Sequence, residues 1–184
     1  MWKVVARAYF RIFRWTVVGS KPTARKFIII VMPHTSGYDF VLGKCFGVLF
    51  GIKSKVLVKK EVFFFPVNLL LKAFGCIPVD RSSNRRLTQQ LIVEFNRHDE
   101  FGLTLTPEGT RGKVKRIRRG FYYIAQATGV PVYLGFIDTC TRRLGLGPEM
   151  VITGDFSRDL GQIREFYSGM EGLHKGKFDA SLWA

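Results

Sequence analysis

The chain is poor in acids, histidine and cysteine, and it contains no long uninterrupted apolar run. Its three cysteines, Cys45, Cys76 and Cys140, are odd in number, widely spaced and form no C-x-x-C pair. That excludes a disulfide scaffold or cysteine-based zinc framework and reads as a reduced, cytosolic chain. His98 and His174 lack metal-ligand spacing, no cysteine has a histidine nearby in sequence, and no G-x-S-x-G occurs. An enzyme nucleophile of the serine-elbow type is therefore not written here. No stretch of ~18 uncharged apolar residues exists, so no spanning helix is expected. Arg7, Arg11 and Arg14 interrupt every early apolar run, which excludes a cleavable signal peptide from the expectation.

Acids number 14 against 29 Lys and Arg, a formal charge of +15. The imbalance is local: residues 1–60 hold 12 basic side chains and one acid, Asp39, whereas residues 121–184 hold 6 and 7. One electropositive side, facing an anionic partner, follows: nucleic acid, an acidic membrane surface, a phosphorylated substrate or an acidic carrier protein. The length of 184 residues fits one domain with its own core, and 47% hydrophobic with 23% charged residues excludes disorder.

Short apolar runs alternate with helical patterns. Lys26–Met32 reads as a buried strand, Lys55–Val58, Ile77–Val79, Phe101–Thr106 and Val132–Ile137 as further strands, and Met150–Thr153 as a last one. Helices are expected over 39–50, Phe65–Phe74, Asn84–Arg97, Phe121–Thr128 and around Asp159–Tyr167. In the third of these, Leu87, Leu91 and Phe95 recur at i, i+4, i+8. The alternation predicts an α/β fold: one layered domain, a mixed and mostly parallel sheet flanked by helices.

The first eighteen residues read as an amphipathic helix. Lys3, Arg7, Arg11 and Arg14 fall within roughly an 80° arc, and nearly everything else is apolar or aromatic. Two placements are open: a helix lying in a membrane interface, or one packed on the domain with its basic edge in water. The run Phe63–Leu71 adds weight to the first, since so many consecutive large apolar residues exceed what a core takes.

Two constellations carry chemistry. His34 and Asp39 flank Ser36-Gly37 between a strand and a helix. On a continuous helix they would point about 140° apart, whereas a turn can bring the carboxylate to one ring nitrogen and leave the other free to accept a proton. Alone, an H-x4-D is more often a surface histidine beside a helix cap. Thr106-Pro107-Glu108-Gly109-Thr110-Arg111 follows a strand and can aim N–H groups and a guanidinium at a phosphate. It is not a nucleotide P-loop, because Pro107 and Val114 stand where that motif needs glycine and a hydroxyl. The basic run 111–119 alone is compatible with a solvated loop or a nucleic-acid patch.

In this order, His34-Thr-Ser-Gly-Tyr-Asp39, Gly75-Cys-Ile-Pro-Val-Asp-Arg81, Pro107-Glu-Gly-Thr-Arg111 and Val130-Pro131-Val132 resemble four blocks of the glycerolipid acyltransferases. The type resembled acylates lysophosphatidic acid (1-acylglycerol-3-phosphate), and the match runs from residue 27 to 137. Pro33, Thr106, Gly112 and Leu134 depart from residues common in that family, all outside the H-x4-D pair. The resemblance implies His34 as general base for an acceptor hydroxyl and Asp39 as its orienter. It implies Arg81, Glu108, Gly109, Thr110 and Arg111 as the acceptor-binding set. No metal or bound cofactor is implied, with acyl-CoA or acyl-carrier protein as co-substrate.

The expectation is thus an O-acyltransferase of phospholipid synthesis, peripheral on the cytoplasmic face of a membrane. Residues 1–20 form its interface helix and 21–184 its acyltransferase domain. Its partners are a lysophospholipid, a thioester donor and an anionic membrane surface, with no nucleic acid. The rivals are a basic nucleic-acid-binding domain, which leaves His34 and Asp39 unexplained, and an acyltransferase for an amino-acid-containing lysolipid.

Overall fold

The structure, a computed structural model, describes residues 2–79 and 84–183. A single seven-stranded sheet forms the middle layer. Its strands are β1 (Thr16–Val18), β2 (Lys26–Met32), β3 (Lys55–Lys59), β4 (Cys76–Val79), β5 (Phe101–Leu105), β6 (Val132–Asp138) and β7 (Arg143–Met150). They lie in the order β1-β7-β6-β2-β5-β3-β4, all neighbours parallel except β6 and β7. The helices are α1 (Trp2–Ile12), α2 (Asp39–Phe50), α3 (Val67–Ala73), α4 (Asn84–Arg97), α5 (Gly120–Thr128) and α6 (Phe156–Tyr167).

The period-2 geometry of a strand sorts the core into two sides. Along β2, Ile28, Ile30 and Met32 pack with Leu91, Phe95, Phe121 and Ile163 of α4, α5 and α6. Phe27 and Ile29 instead face Phe10 of α1 and Leu42 and Phe46 of α2. Burial on both faces explains why β2 reads as one apolar run, each Ile or Phe contributing about 1.5–3 kcal/mol. Helix ends follow local chemistry. Gly51 and Gly129 terminate α2 and α5 in the left-handed region, at φ 69° and 67°. The Asp155 carboxylate accepts from the N–H groups of Ser157 and Arg158 at the start of α6.

Three expectations need correction. The N-terminal helix stops at Ile12 rather than continuing to residue 18. Arg14 turns the chain with φ 53°, and the β-branched Thr16–Val18 becomes an edge strand, with Thr16 N–H on the Arg142 carbonyl at 2.8 Å. The last strand is β7, ending at Met150 where a strand was expected to begin. Residues 151–153 leave the sheet because the N–H and hydroxyl of Thr153 turn to Asp159, at 2.9 and 2.8 Å. The helix expected from Phe65 begins at Val67, after Pro66.

β2 and β5 are parallel neighbours, with Ile30 opposite Leu105. Both motif-bearing loops therefore leave the same carboxyl edge of the sheet side by side, which is where open α/β sheets build sites.

Candidate active site

The turn after β2 wraps its backbone around one carboxylate. Asp39 is buried, and its Oδ2 accepts from the N–H groups of Thr35 and Ser36, both at 2.9 Å. The same oxygen lies 3.0 Å from His34 Nδ1. Three groups converge on this one acceptor oxygen, a geometry in which Nδ1 donates and carries the imidazole hydrogen. His34 Nε2 makes no hydrogen bond among the described residues, and the side chain is 21% exposed. An oriented, partly exposed imidazole with Nε2 open among the described residues is the outcome. The other Asp39 oxygen, Oδ1, is buried without a partner among the described residues.

The second loop supports the first from below and from the side. Glu108 is 4% exposed and accepts the backbone N–H of His34 on Oε2 at 2.7 Å. Burial pushes its carboxyl up to about 8; the His34 N–H opposes the rise, and the nearby Asp39 charge adds to it. Gly109 sits at φ 65°, donates to the Thr106 carbonyl at 3.1 Å, and has Arg118 packed where a Cβ would stand. Only glycine fits both conditions. Arg111 lays its guanidinium over Gly37, at 3.4 Å from the position a Cβ would take, with no ion pair among the described residues.

Thus His34, Asp39, Glu108, Gly109 and Arg111 come together. Thr110 is exposed at the rim of the turn. Glu108 stands beneath the histidine rather than among groups open to a ligand. Arg81 lies outside the described residues. Sequence reasoning missed Thr35, whose Oγ1 accepts the His174 N–H at 3.0 Å and whose side chain occupies the space beside Gly172. It also missed Tyr167, buried under the sheet, whose hydroxyl reaches the carbonyls of Ile30 and Gly135 at 3.1 and 2.8 Å. Burial, then the Glu108 charge, raises that phenol well above its ordinary value. Tyr167 lies far from the turn in sequence, and Thr35, although within the turn, meets its partner 139 residues away, so no local spacing signals either role.

Next to the second loop, a cavity of about 700 Å³ opens between α4, α5 and the sheet. Leu57, Val79, Leu87, Leu91, Phe121 and Ile124 line it, and Thr106, Pro107 and Gly109 border it. An apolar hollow thus begins at the residues flanking Glu108. Of the basic run, Arg118 folds onto Gly109 and Arg119 lies over the Phe156 ring at 4.0 Å, so these cations pack back onto the domain.

The fold compares with the crystal structure of the 1-acyl-sn-glycerophosphate (LPA) acyltransferase from Thermotoga maritima. The TM-score is 0.57 at 19% identity, over 90% of this chain and 74% of that one. No curated protein matches the sequence. The family model described as Acyltransferase matches residues 14–134, a span that includes both site loops and strands β1 to β5. On that match the chain belongs to the Acyltransferase family.

Proposed function

We propose that the protein transfers a fatty acyl group from a thioester donor, acyl-CoA or acyl-carrier protein, to the hydroxyl of a lysophospholipid. The acceptor that fits best is 1-acylglycerol-3-phosphate. The observation that carries the reading is the His34 Nδ1–Asp39 Oδ2 contact of 3.0 Å with Nε2 left open. Nε2 takes the proton as the acceptor oxygen attacks the thioester carbon. The tetrahedral intermediate collapses, the C–S bond breaks, and the imidazolium returns the proton to the leaving thiolate. Ester and free thiol balance the equation, and the donor already carries an activated acyl group, so no enzyme nucleophile is required.

The surroundings support the same substrates. The Arg111 guanidinium, held over the catalytic turn and without an ion pair among the described residues, suits a phosphate. The apolar cavity beside Pro107 and Gly109 suits a hydrocarbon chain. α1 buries only Ala6 and Phe10, leaving Trp2 and Ile12 at 71% and 73% exposure. Of the two placements open for this helix, the one in a membrane interface fits: the wide apolar face is turned away from the domain. No helix among the described residues is long and apolar enough to cross a membrane. The exposed apolar face of α1 is the ground for placing the protein peripherally on a membrane, on the cytoplasmic face where acyl thioesters are made available.

The test is product identification. The protein is incubated with phosphate-bearing and amino-acid-bearing lysolipids, each with labelled acyl-CoA and acyl-carrier protein, and products are weighed by mass spectrometry. Diacylated phosphate product, absent with His34→Ala, is the expected result. Product from the amino-acid lysolipid alone would move the acceptor assignment, and no acyl transfer to any acceptor would remove the reading.

A further inference from the structure

A second apolar surface stands at the far edge of the sheet, on the connection from β3 to β4. Leu71 is its buried anchor, while Phe64, Phe65, Leu69 and Leu70 face outward, Phe65 at 78% and Leu69 at 60% exposure. Four large apolar side chains on one short excursion are more than scattered surface hydrophobics account for. The excursion is tied to the catalytic helix: Phe74 meets Phe40 of α2 edge-to-face at 6.4 Å, and Lys44 of α2 donates to the Phe74 carbonyl at 2.6 Å. α1 is tied to the same helix by the hydrogen bond between the Tyr9 and Tyr38 hydroxyls. Tyr38 and Val41, both exposed and three residues apart, form an apolar ridge between the two attachments.

We infer that the β3–β4 excursion is a second lipid-inserting element, and that with α1 and the Tyr38–Val41 ridge it forms one face docking on an anionic bilayer. Charge selects this occupant. Lys60 and Lys72 bracket the apolar tip, both exposed, and the basic excess of the chain is greatest in residues 1–60, which supply α1, α2 and β3. An apolar tip with a basic margin matches acyl chains below anionic headgroups. A second copy of the chain would set the same lysines against each other. Asp39 opens α2 with His34 beside it, so the docked face holds the imidazole near headgroup depth, where a lysolipid presents its hydroxyl. That consequence rests on the proposed reaction; the docking stands on the surface itself.

The test is physical and needs no turnover. The full chain, with Cys140→Ser to remove the exposed thiol, receives an environment-sensitive fluorophore at Phe65→Cys or, on the opposite layer, at exposed Val93→Cys of α4. Each is mixed with phosphatidylcholine–phosphatidylglycerol vesicles carrying brominated acyl chains. The label at position 65 is expected to shift to the blue and be quenched, and the label at 93 to do neither. Phe65→Ser with Leu69→Ser is expected to weaken vesicle partition about tenfold or more with an unchanged thermal melt. The labels keep the test decisive should that double variant fold poorly. A water-like signal at 65 on vesicle-bound protein would overturn the inference. So would indifference of the full chain to vesicles, or lipid-free dimerisation that Phe65→Ser abolishes.

Discussion

The backbone N–H of His34 donates to Oε2 of Glu108, 74 residues further along the chain, at 2.7 Å. The glutamate therefore fixes the residue that carries the imidazole, and it does so from a buried position where its carboxyl is raised to about 8. A proton is retained in the folded protein between about 4.5 and 8 that the unfolded chain loses. This group's contribution to stability is thus complete below 4.5, declines as pH rises through that window, and is flat above it. Glu108→Gln keeps an acceptor for the His34 N–H and removes the titration. Urea unfolding across pH 5–9 should show the wild type losing stability relative to the variant as pH climbs, with a slope up to ~1.4 kcal/mol per pH unit. Parallel curves would mean that Glu108 is ionised throughout. Activity of Glu108→Gln near neutrality should stay close to wild type, because the glutamate acts as a protonated support.

For the histidine itself, His34→Ala should lower kcat by ~10²–10⁴, the range for a lost positioned base. Asp39→Asn should also lower it strongly, since a neutral amide no longer stabilises the imidazolium, while circular dichroism stays native. Full turnover in His34→Ala would remove the mechanism.

Arg111, whose guanidinium lies over Gly37, tests the phosphate assignment. Arg111→Ala should raise KM for a phosphorylated acceptor more than for the thioester donor, because a charge-assisted contact is lost from one substrate only. Steady-state kinetics with each substrate varied in turn decide it. Equal effects on both KM values would place the phosphate elsewhere.

The cavity makes a separate prediction. Leu87 lines it from α4, and Leu87→Trp fills space without touching His34 or Asp39. Turnover of the longest acyl substrates should fall while short ones persist, read as a shift in the chain-length profile. A uniform loss across lengths would mean the hollow does not hold the chain.

Legibility in the sequence followed the range of the interactions. β2 was readable because every residue from Phe27 to Ile30 is buried, and α4 because Leu87, Leu91 and Phe95 share one face. The His34–Asp39 pair was readable because its turn is local. β7 was not, because its pattern is broken by glycines that answer to tertiary neighbours. A Cβ at Gly145 would overlap the Val18 carbonyl of β1, and one at Gly147 the Phe166 ring of α6. β1 was hidden for the complementary reason: three residues at the edge continue an apolar helical pattern, and only β7 makes them a strand. In the site, Glu108 was visible as a motif residue, but its burial under His34 depends on β5 lying beside β2. Thr35 contacting the segment around Gly172 and His174 depends on a separation of 139 residues.

The N-terminal helix is tested by substitution rather than by truncation. Removing residues 1–18 would delete β1 and pull Phe10 out of the core, so loss of binding could follow from unfolding. Substitution of the outer face avoids this: Trp2→Ser with Ile12→Ser changes side chains that contact little of the domain. Two terms should hold α1 on an anionic leaflet. Lys3, Arg7, Arg11 and Arg14, all exposed, are worth about 1 kcal/mol each near such a surface, and salt screens them. The apolar insertion is not screened. Vesicle co-sedimentation of the wild type should therefore weaken with salt and level off at a residual value. The double variant should follow the same salt slope from a lower start and level off at a lower residual value, the one that the β3–β4 excursion supplies. Binding that drops steeply and linearly with log salt in the wild type as well would indicate counterion release without insertion, the behaviour of a nucleic-acid-binding surface. Equal sedimentation of both proteins would make α1 a packing element, leaving the β3–β4 excursion as the membrane contact.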